Sequence, residues 1–300
     1  MRDIRTVDLN LLKALDALLD ERNVTRAAAR LALTQPAMSG MLTRLRESFD
    51  DPLFVRTQRG ILPTQRALEL AVPVKQVLSD IDALLQPPTF DPATASLTLS
   101  IAATDYALHA IAVPFLAALR QRAPNVRVAL MPVESTQVQT ELERGRLDLA
   151  LITPESTPQD LRARRLFDER YVCVLRRDHP MATGHELTLD QFCALDHALV
   201  SYTGGDFSGV SDEALAKLGR TRRVTLSVKS FLIVPEILRA SDLVAVVPSR
   251  LVADLEGLAI FDPPIEIPGF TKIVAWHERT HRDPGHRWLR DLLFEVCGET

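Results

Sequence analysis

Three cysteines in 300 residues, Cys173, Cys193 and Cys297, lie far apart, are odd in number and have no CxxC or histidine neighbour at metal-ligand spacing. That excludes a disulfide framework and a zinc ribbon, and they read as small buried hydrophobes in a reducing compartment. Aromatic residues make up only 5%, and no stretch approaches the ~18 uninterrupted apolar residues of a membrane-crossing helix. The leucines of the first 22 residues are interrupted by acids too often for a secretory segment, so the expected location is the cytoplasm. Catalytic signatures are missing as well. His109, His179, His185, His197, His277, His281 and His286 are scattered, and there is no GxSxG, no HExxH and no GxGxxG after a strand. The run from Gly204 to Gly209 is too loose for a phosphate loop. The expectation is a non-enzyme with no catalytic residues, no metal and no cofactor.

Hydrophobic residues make up 46% and charged residues 25% of the chain, the balance of an ordinary globular protein long enough for two or three compact domains. The formal net charge is −4, which would disfavour nucleic acid if evenly spread. It is not: between residues 22 and 66 eight arginines stand against three acids. A small basic domain joined to a larger acidic one points to a nucleic-acid binder with a separate module.

Leu11, Leu12, Leu15, Leu18 and Leu19 recur three and four apart and predict an amphipathic helix from Asp8 to about Arg22. Asn23-Val24-Thr25 breaks it, and Thr25 is expected to cap a short second helix, Arg26 to Leu31, whose alanines permit close packing. A tight turn through Ala32-Leu33 follows. Thr34 then offers an N-cap and Pro36 sits in the first turn, where its missing N–H costs nothing, of a helix running to about Phe49. On it Met38, Met41, Leu42, Leu45 and Phe49 share one side, while Gln35, Pro36, Ser39, Gly40, Thr43 and Arg46 share another that is free to read something. This is the helix-turn-helix pattern. Residues 51–63 predict two short strands around a turn bearing Arg56 and Arg59, a wing. From Thr64 to Leu85 an apolar seam through Ala67, Leu70 or Ala71, Val74, Val77 or Leu78, Ile81 and Leu84 or Leu85 precedes the break Gln86-Pro87-Pro88 and predicts a dimer-forming linker helix, with a local kink at Pro73.

Beyond Asp91-Pro92, apolar runs alternate with helical segments, the signature of α/β units with mostly parallel strands. Strands are expected at Leu97–Ala103, Val126–Met131, Leu147–Thr153, Arg170–Arg176, Ala198–Ser201, Val224–Val228, Leu243–Val247 and Lys272–Trp276. Helices are expected at Ala107–Gln121, Gln137–Arg144, Leu232–Ala240 and Pro284–Cys297. The resulting partition is a DNA-binding domain at 1–63, a linker helix at 64–88 and an α/β domain at 89–300. Its size implies two lobes, the first about 89–165 and 265–300, the second about 166–264, with a ligand cleft between them.

The segment DLNLLKALDALLDERNVTRAAARLALTQPAMSGMLTRLRESFDDPLFVRTQRGILPT resembles the winged helix-turn-helix of the LysR-type transcriptional regulators across its whole length. The likeness continues in Ala102-Ala103-Thr104-Asp105, RGRLDLALI, RYVCVLRRDHP and SDLVAVVPSRL, which look most like the branch answering flavonoids or small aromatic acids. The resemblance implies a homodimer or homotetramer that binds promoter DNA, has a periplasmic-binding-protein-like domain with a small-molecule effector between its lobes, and leaves RNA polymerase as a candidate partner. The competing reading is a solute-binding or enzyme-like two-lobed α/β protein whose N-terminal domain only mediates assembly.

For the DNA interface the expected residues are Thr34, Gln35, Pro36, Ser39 and Thr43 at bases or phosphates, with Arg26, Arg30, Arg44, Arg46, Arg56 and Arg59 as phosphate contacts. Gly40 departs from the bulky or basic residue the family often carries there. For an anionic, aromatic effector the candidates are Thr104, Asp105, Thr153, Arg170, Tyr202, Thr203, Gly204, Phe207 and Phe231. Thr104 is equally readable as a helix cap, Phe231 as core, and Arg170 as an effector contact or a partner of Asp168 or Glu169.

Overall fold

The computed structural model describes residues 8–58, 60–86, 89–133, 137–184, 186–202 and 204–298. They form two compact units, divided between Pro87 and Pro88.

In the first unit, α1 (Leu9–Glu21), α2 (Val24–Arg30) and α3 (Gln35–Phe49) pack through Leu15, Leu18, Ala27, Met38 and Leu45, all fully buried. Asn23, not Thr25, caps α2: its side chain accepts from the Arg26 amide, so the helix starts earlier than the sequence predicts. Thr34 caps α3 through the Ala37 amide with Pro36 in its first turn. The wing is the antiparallel pair β1 (Phe54–Thr57) and β2 (Gly60–Pro63). Gly60 has φ +131°, and a Cβ there would lie 2.6 Å from the Arg22 carbonyl, so only glycine lets the wing seat on the end of α1.

Thr64 caps α4 (Gln65–Leu85), which runs uninterrupted through Pro73. The expected dimer seam is corrected in its first half. Ala67 and Val74 are buried in the core built on α1, and Leu70 and Leu78 pack against it. Lys75 reaches back to Asp20 at 2.9 Å. By contrast Leu68, Val72, Val77, Leu84 and Leu85 are exposed.

The second unit contains two five-stranded sheets. The first is ordered β4-β3-β5-β12-β6 from β3 (Thr98–Ala103), β4 (Arg127–Pro132), β5 (Leu149–Ile152), β6 (Arg162–Glu169) and the late strand β12 (Phe270–Trp276). The second is ordered β11-β7-β10-β8-β9 from β7 (Tyr171–Arg176), β8 (Asp196–Val200), β9 (Arg223–Val228), β10 (Val244–Pro248) and β11 (Leu258–Phe261). Each joins parallel and antiparallel pairs, so both are mixed rather than mostly parallel. Helices cover their faces: α5 (Asp105–Ala107), a π-helical turn Leu108–Ala112, α6 (Val113–Arg122), α7 (Val138–Arg144) and α11 (Pro284–Gly298) on the first lobe, and α8 (Leu189–Ala194), α9 (Val210–Lys217) and α10 (Val234–Arg239) on the second. The expected single helix Ala107–Gln121 is thus a composite that begins at Asp105 and is interrupted by the π turn.

Strands β6 and β11 escaped the sequence pattern. β6 carries four arginines or acids on exposed positions and is an edge strand, held by pairing with β12, Glu169 with Phe270 through Arg162 with Trp276, a contact no local period encodes. Because β6 reaches Glu169, the first lobe extends past residue 165. The chain crosses once between Glu169 and Tyr171 and returns before Phe270. The two crossings touch: a Cβ on Gly269 would lie 2.2 Å from the Glu169 carbonyl.

Candidate DNA interface and effector site

On α3, Gln35, Pro36, Gly40 and Thr43 are exposed on one face and Ser39 is half-buried among them. The Gln35 amide donates to Ser39 Oγ at 3.1 Å, and the Thr43 hydroxyl donates to the Ser39 carbonyl at 3.2 Å. These local bonds hold short polar side chains in place at the start of the helix, where base edges are read in this motif. Among the arginines, Arg26 pairs with Glu21, Arg30 with Asp20 and Asp16, and Arg44 with Asp8. In all four pairs the arginine is exposed, and such pairs contribute little and can be exchanged for phosphates. Arg56 is exposed on the wing. Arg46 is different: its guanidinium donates to the Pro52 and Phe54 carbonyls at 2.9 and 3.2 Å, so it buttresses the wing instead of facing outward. Arg59 lies outside the described residues.

In the second unit, Thr104 caps α5 through the Ala107 amide at 3.3 Å. Asp105 bridges the lobes: its Oδ2 accepts from Ser230 Oγ at 2.6 Å and the Leu232 amide at 3.4 Å. A second bridge centres on Glu169, 4% exposed. It accepts from the Tyr106 hydroxyl on the first lobe, from Ser249 Oγ at 2.6 Å and the Arg250 amide at 3.4 Å on the second, and from the Arg170 amide at 2.8 Å. Burial, then the bond to Glu169, pushes the Tyr106 phenol far up, so it stays protonated and donates.

A cavity of about 320 Å³ opens on the second lobe, walled by Tyr171, Tyr202 and Phe231 with Ser201, Asp206 and Arg222 among its polar groups. Rings continue behind the wall. Tyr202–Phe231, Phe231–Tyr106, Tyr106–Phe270 and Phe270–Tyr171 centroids are 6.2, 5.9, 5.8 and 5.5 Å apart. Arg222, with its side chain 1% exposed, grips Asp212 through two bonds of 2.9 and 2.8 Å and donates to His197 Nδ1 at 3.1 Å. Burial pushes the His197 imidazole down to about 4, which keeps it a neutral acceptor.

Of the sequence candidates, Tyr202 and Phe231 line the cavity; Phe231 also belongs to the buried core, so both of its readings hold. Thr104, Asp105, Thr153, Gly204 and Phe207 do not line it. Thr153 sits at the end of β5, its hydroxyl 3.3 Å from Ser156 Oγ. Gly204 makes a positive-φ turn against Ser201, and Phe207 is exposed. Arg170 pairs on the surface with Asp262 at 2.6 Å, not with Asp168 or Glu169 side chains; that guanidinium does not face the cavity. Thr203 lies outside the described residues. Tyr106, Tyr171, Glu169 and Arg222 were missed: Tyr171 and Arg222 line the cavity, and the bond from Tyr106 to Glu169 joins the lobes.

A winged helix-turn-helix with a polar helix face, on one chain with a two-lobed α/β unit that has a ring-lined cavity, defines a ligand-responsive DNA-binding regulator. Residues 9–68 match the bacterial regulatory helix-turn-helix protein, lysR family, and residues 93–298 match the LysR substrate binding domain. The chain therefore belongs to the LysR family of transcriptional regulators. It is 38% identical to the HTH-type transcriptional activator NagR of Ralstonia sp over 302 residues, covering 99% of each. It is 39% identical to the HTH-type transcriptional regulator SyrM 1 of Sinorhizobium fredii, covering 99% of this chain and 87% of that one. The crystal structure of a probable transcriptional regulator from Pseudomonas aeruginosa, 36% identical, superposes with a TM-score of 0.59 over 97% of each chain. Like these regulators, it is not an enzyme. No helix among the described residues is long and apolar enough to cross a membrane, and no group of them could hold a metal ion.

Proposed function

We propose that the effector of this regulator is a small aromatic molecule received between the lobes against the second-lobe cavity. The protein then acts as a cytoplasmic homodimer or homotetramer whose recognition helices reach two half-sites of a promoter, with RNA polymerase as a further contact. The observation that carries the effector reading is the three rings that wall the 320 Å³ cavity, Tyr202, Phe231 and Tyr171, backed by Tyr106 and Phe270 behind the wall. Ring faces and edges at these separations favour another ring over a saturated ligand of equal size by roughly 0.5–1.5 kcal/mol per contact. In this reading the partition is a DNA-binding domain at 1–63, a linker helix at 64–88 and an effector domain at 89–300, and Gln35, Ser39 and Thr43 read bases while Arg26, Arg30, Arg44 and Arg56 hold phosphates.

Thermal-shift measurement with matched pairs of aromatic and saturated ring compounds tests the effector reading, because a ligand of the native state raises stability by mass action. The aromatic member should stabilise more, and Tyr202→Ala should erase the difference. Equal shifts for both members in the wild type would refute it.

A further inference from the structure

The segment that joins α3 to the wing is built under constraint. Asp50 ends α3 at φ +53°, and Leu53 follows at φ +55°, a left-handed conformation that a leucine adopts only when its surroundings impose it. The Leu53 side chain is fully buried in the core of the first unit. Asp51 Oδ1 accepts from the Leu53 amide at 2.7 Å and from the Thr64 hydroxyl at 2.8 Å, so one oxygen ties the chain entering the wing to the chain leaving it. Arg46, in the last turn of α3, donates through Nε to the Pro52 carbonyl at 2.9 Å and through Nη2 to the Phe54 carbonyl at 3.2 Å. These two carbonyls flank Leu53, and Phe54 is the first residue of β1. Of these hydrogen bonds only the Arg46 pair starts on the recognition helix.

We propose that Arg46 is a positioning residue for DNA binding: it fixes the wing against the recognition helix and so sets where Arg56, two residues beyond the clamped Phe54 carbonyl, meets the phosphate backbone. The assignment rests on the reading of Arg56 as a phosphate contact. A guanidinium presents two donors in a rigid fork, whereas the ammonium of a lysine is a point charge on a flexible stem. Arg46 thus serves the interface through its geometry, and its charge alone cannot replace it.

A charge-conserving substitution separates this role from a direct phosphate contact. Arg46→Lys keeps the cation, so a direct contact would survive with its salt slope. Under the assignment the fork is lost: affinity for operator and random duplexes should fall alike, by about three- to tenfold, and the salt slope should drop by about one, as if Arg56 had been removed. In an Arg56→Ala background the same change should cost almost nothing further. Without DNA, amide exchange should quicken in β1 and β2 while α1 and α3 keep their protection, which separates a loosened wing from a failure to fold. A wild-type slope in Arg46→Lys, or losses that simply add in the double variant, overturns the assignment. If Arg56→Ala itself leaves the slope unchanged, the phosphate reading of Arg56 fails, and the exchange measurement decides alone: unchanged protection of β1 and β2 in Arg46→Lys overturns the positioning role too.

Discussion

Gln35 and Arg56 are both exposed in the first unit but carry different chemistry. Gln35 stands at the start of the recognition helix with its amide steadied by Ser39, and an amide can pair bidentately with an adenine edge. Arg56 projects from the wing, where a guanidinium meets phosphates of any sequence. Gln35→Ala should therefore cost ~1–3 kcal/mol on the operator and nothing on random DNA. Arg56→Ala should weaken both alike and lower the salt slope by about one. Titrations of operator and random duplexes at several salt concentrations check this, and equal losses for the two variants would reverse the roles. The same scale shows why Arg46 could not be sorted by sequence. It lies on the polar side of α3 by helical phase, but the wing folds back beneath it and its carbonyls accept from Nε and Nη2.

Among the elements, α4 divides by face. Val74 is 5% exposed and packs on α1, whereas Val72 is 78% and Leu84 83% exposed. In the proposed oligomer a second copy would cover the apolar side chains that this 21-residue helix leaves bare. Val72→Asp and Leu84→Asp are expected to dissociate the oligomer and abolish operator binding with the melting of the DNA-binding unit nearly unchanged. Val74→Asp instead puts an unpaired charge in the core and should destabilise the unit by on the order of 3 kcal/mol. Analytical ultracentrifugation beside calorimetry separates the effects; wild-type mass for both exposed variants would show that this face is not the oligomer contact.

Across the effector unit, two carboxylates span the lobes, Asp105 to Ser230 and Glu169 to Ser249. With the crossing strands pressed together at Gly269, they define the arrangement that a ligand has to prefer or displace. Ser230→Ala removes a 2.6 Å bond and leaves Asp105 one weak second-lobe donor, the Leu232 amide. It should cost about 1–2 kcal/mol and speed amide exchange around residues 105–107 and 230–232 with the sheet cores unchanged. Hydrogen-exchange mass spectrometry decides: protection unchanged in both segments would mean that the lobes are held elsewhere.

What the sequence by itself determined is local. The cap at Thr34, Pro36 in its first turn, the leucine spacing of α1 and the polar face of α3 state a winged helix-turn-helix, because caps and helical phase act within one or two turns of the chain. The alternation of apolar runs likewise stated an α/β unit. What only the tertiary structure decided is which partners those elements find. It assigned half of the α4 seam to α1, gave Arg170 to Asp262, and made a strand of polar β6 by pairing it with β12. It also buried Lys272 of β12 with its Nζ 6.0 Å from the Tyr106 ring and, among the described residues, no carboxylate paired with it. Each depends on groups dozens to more than a hundred residues apart. Helical phase says which side of an element is apolar, and only the folded chain says what stands opposite.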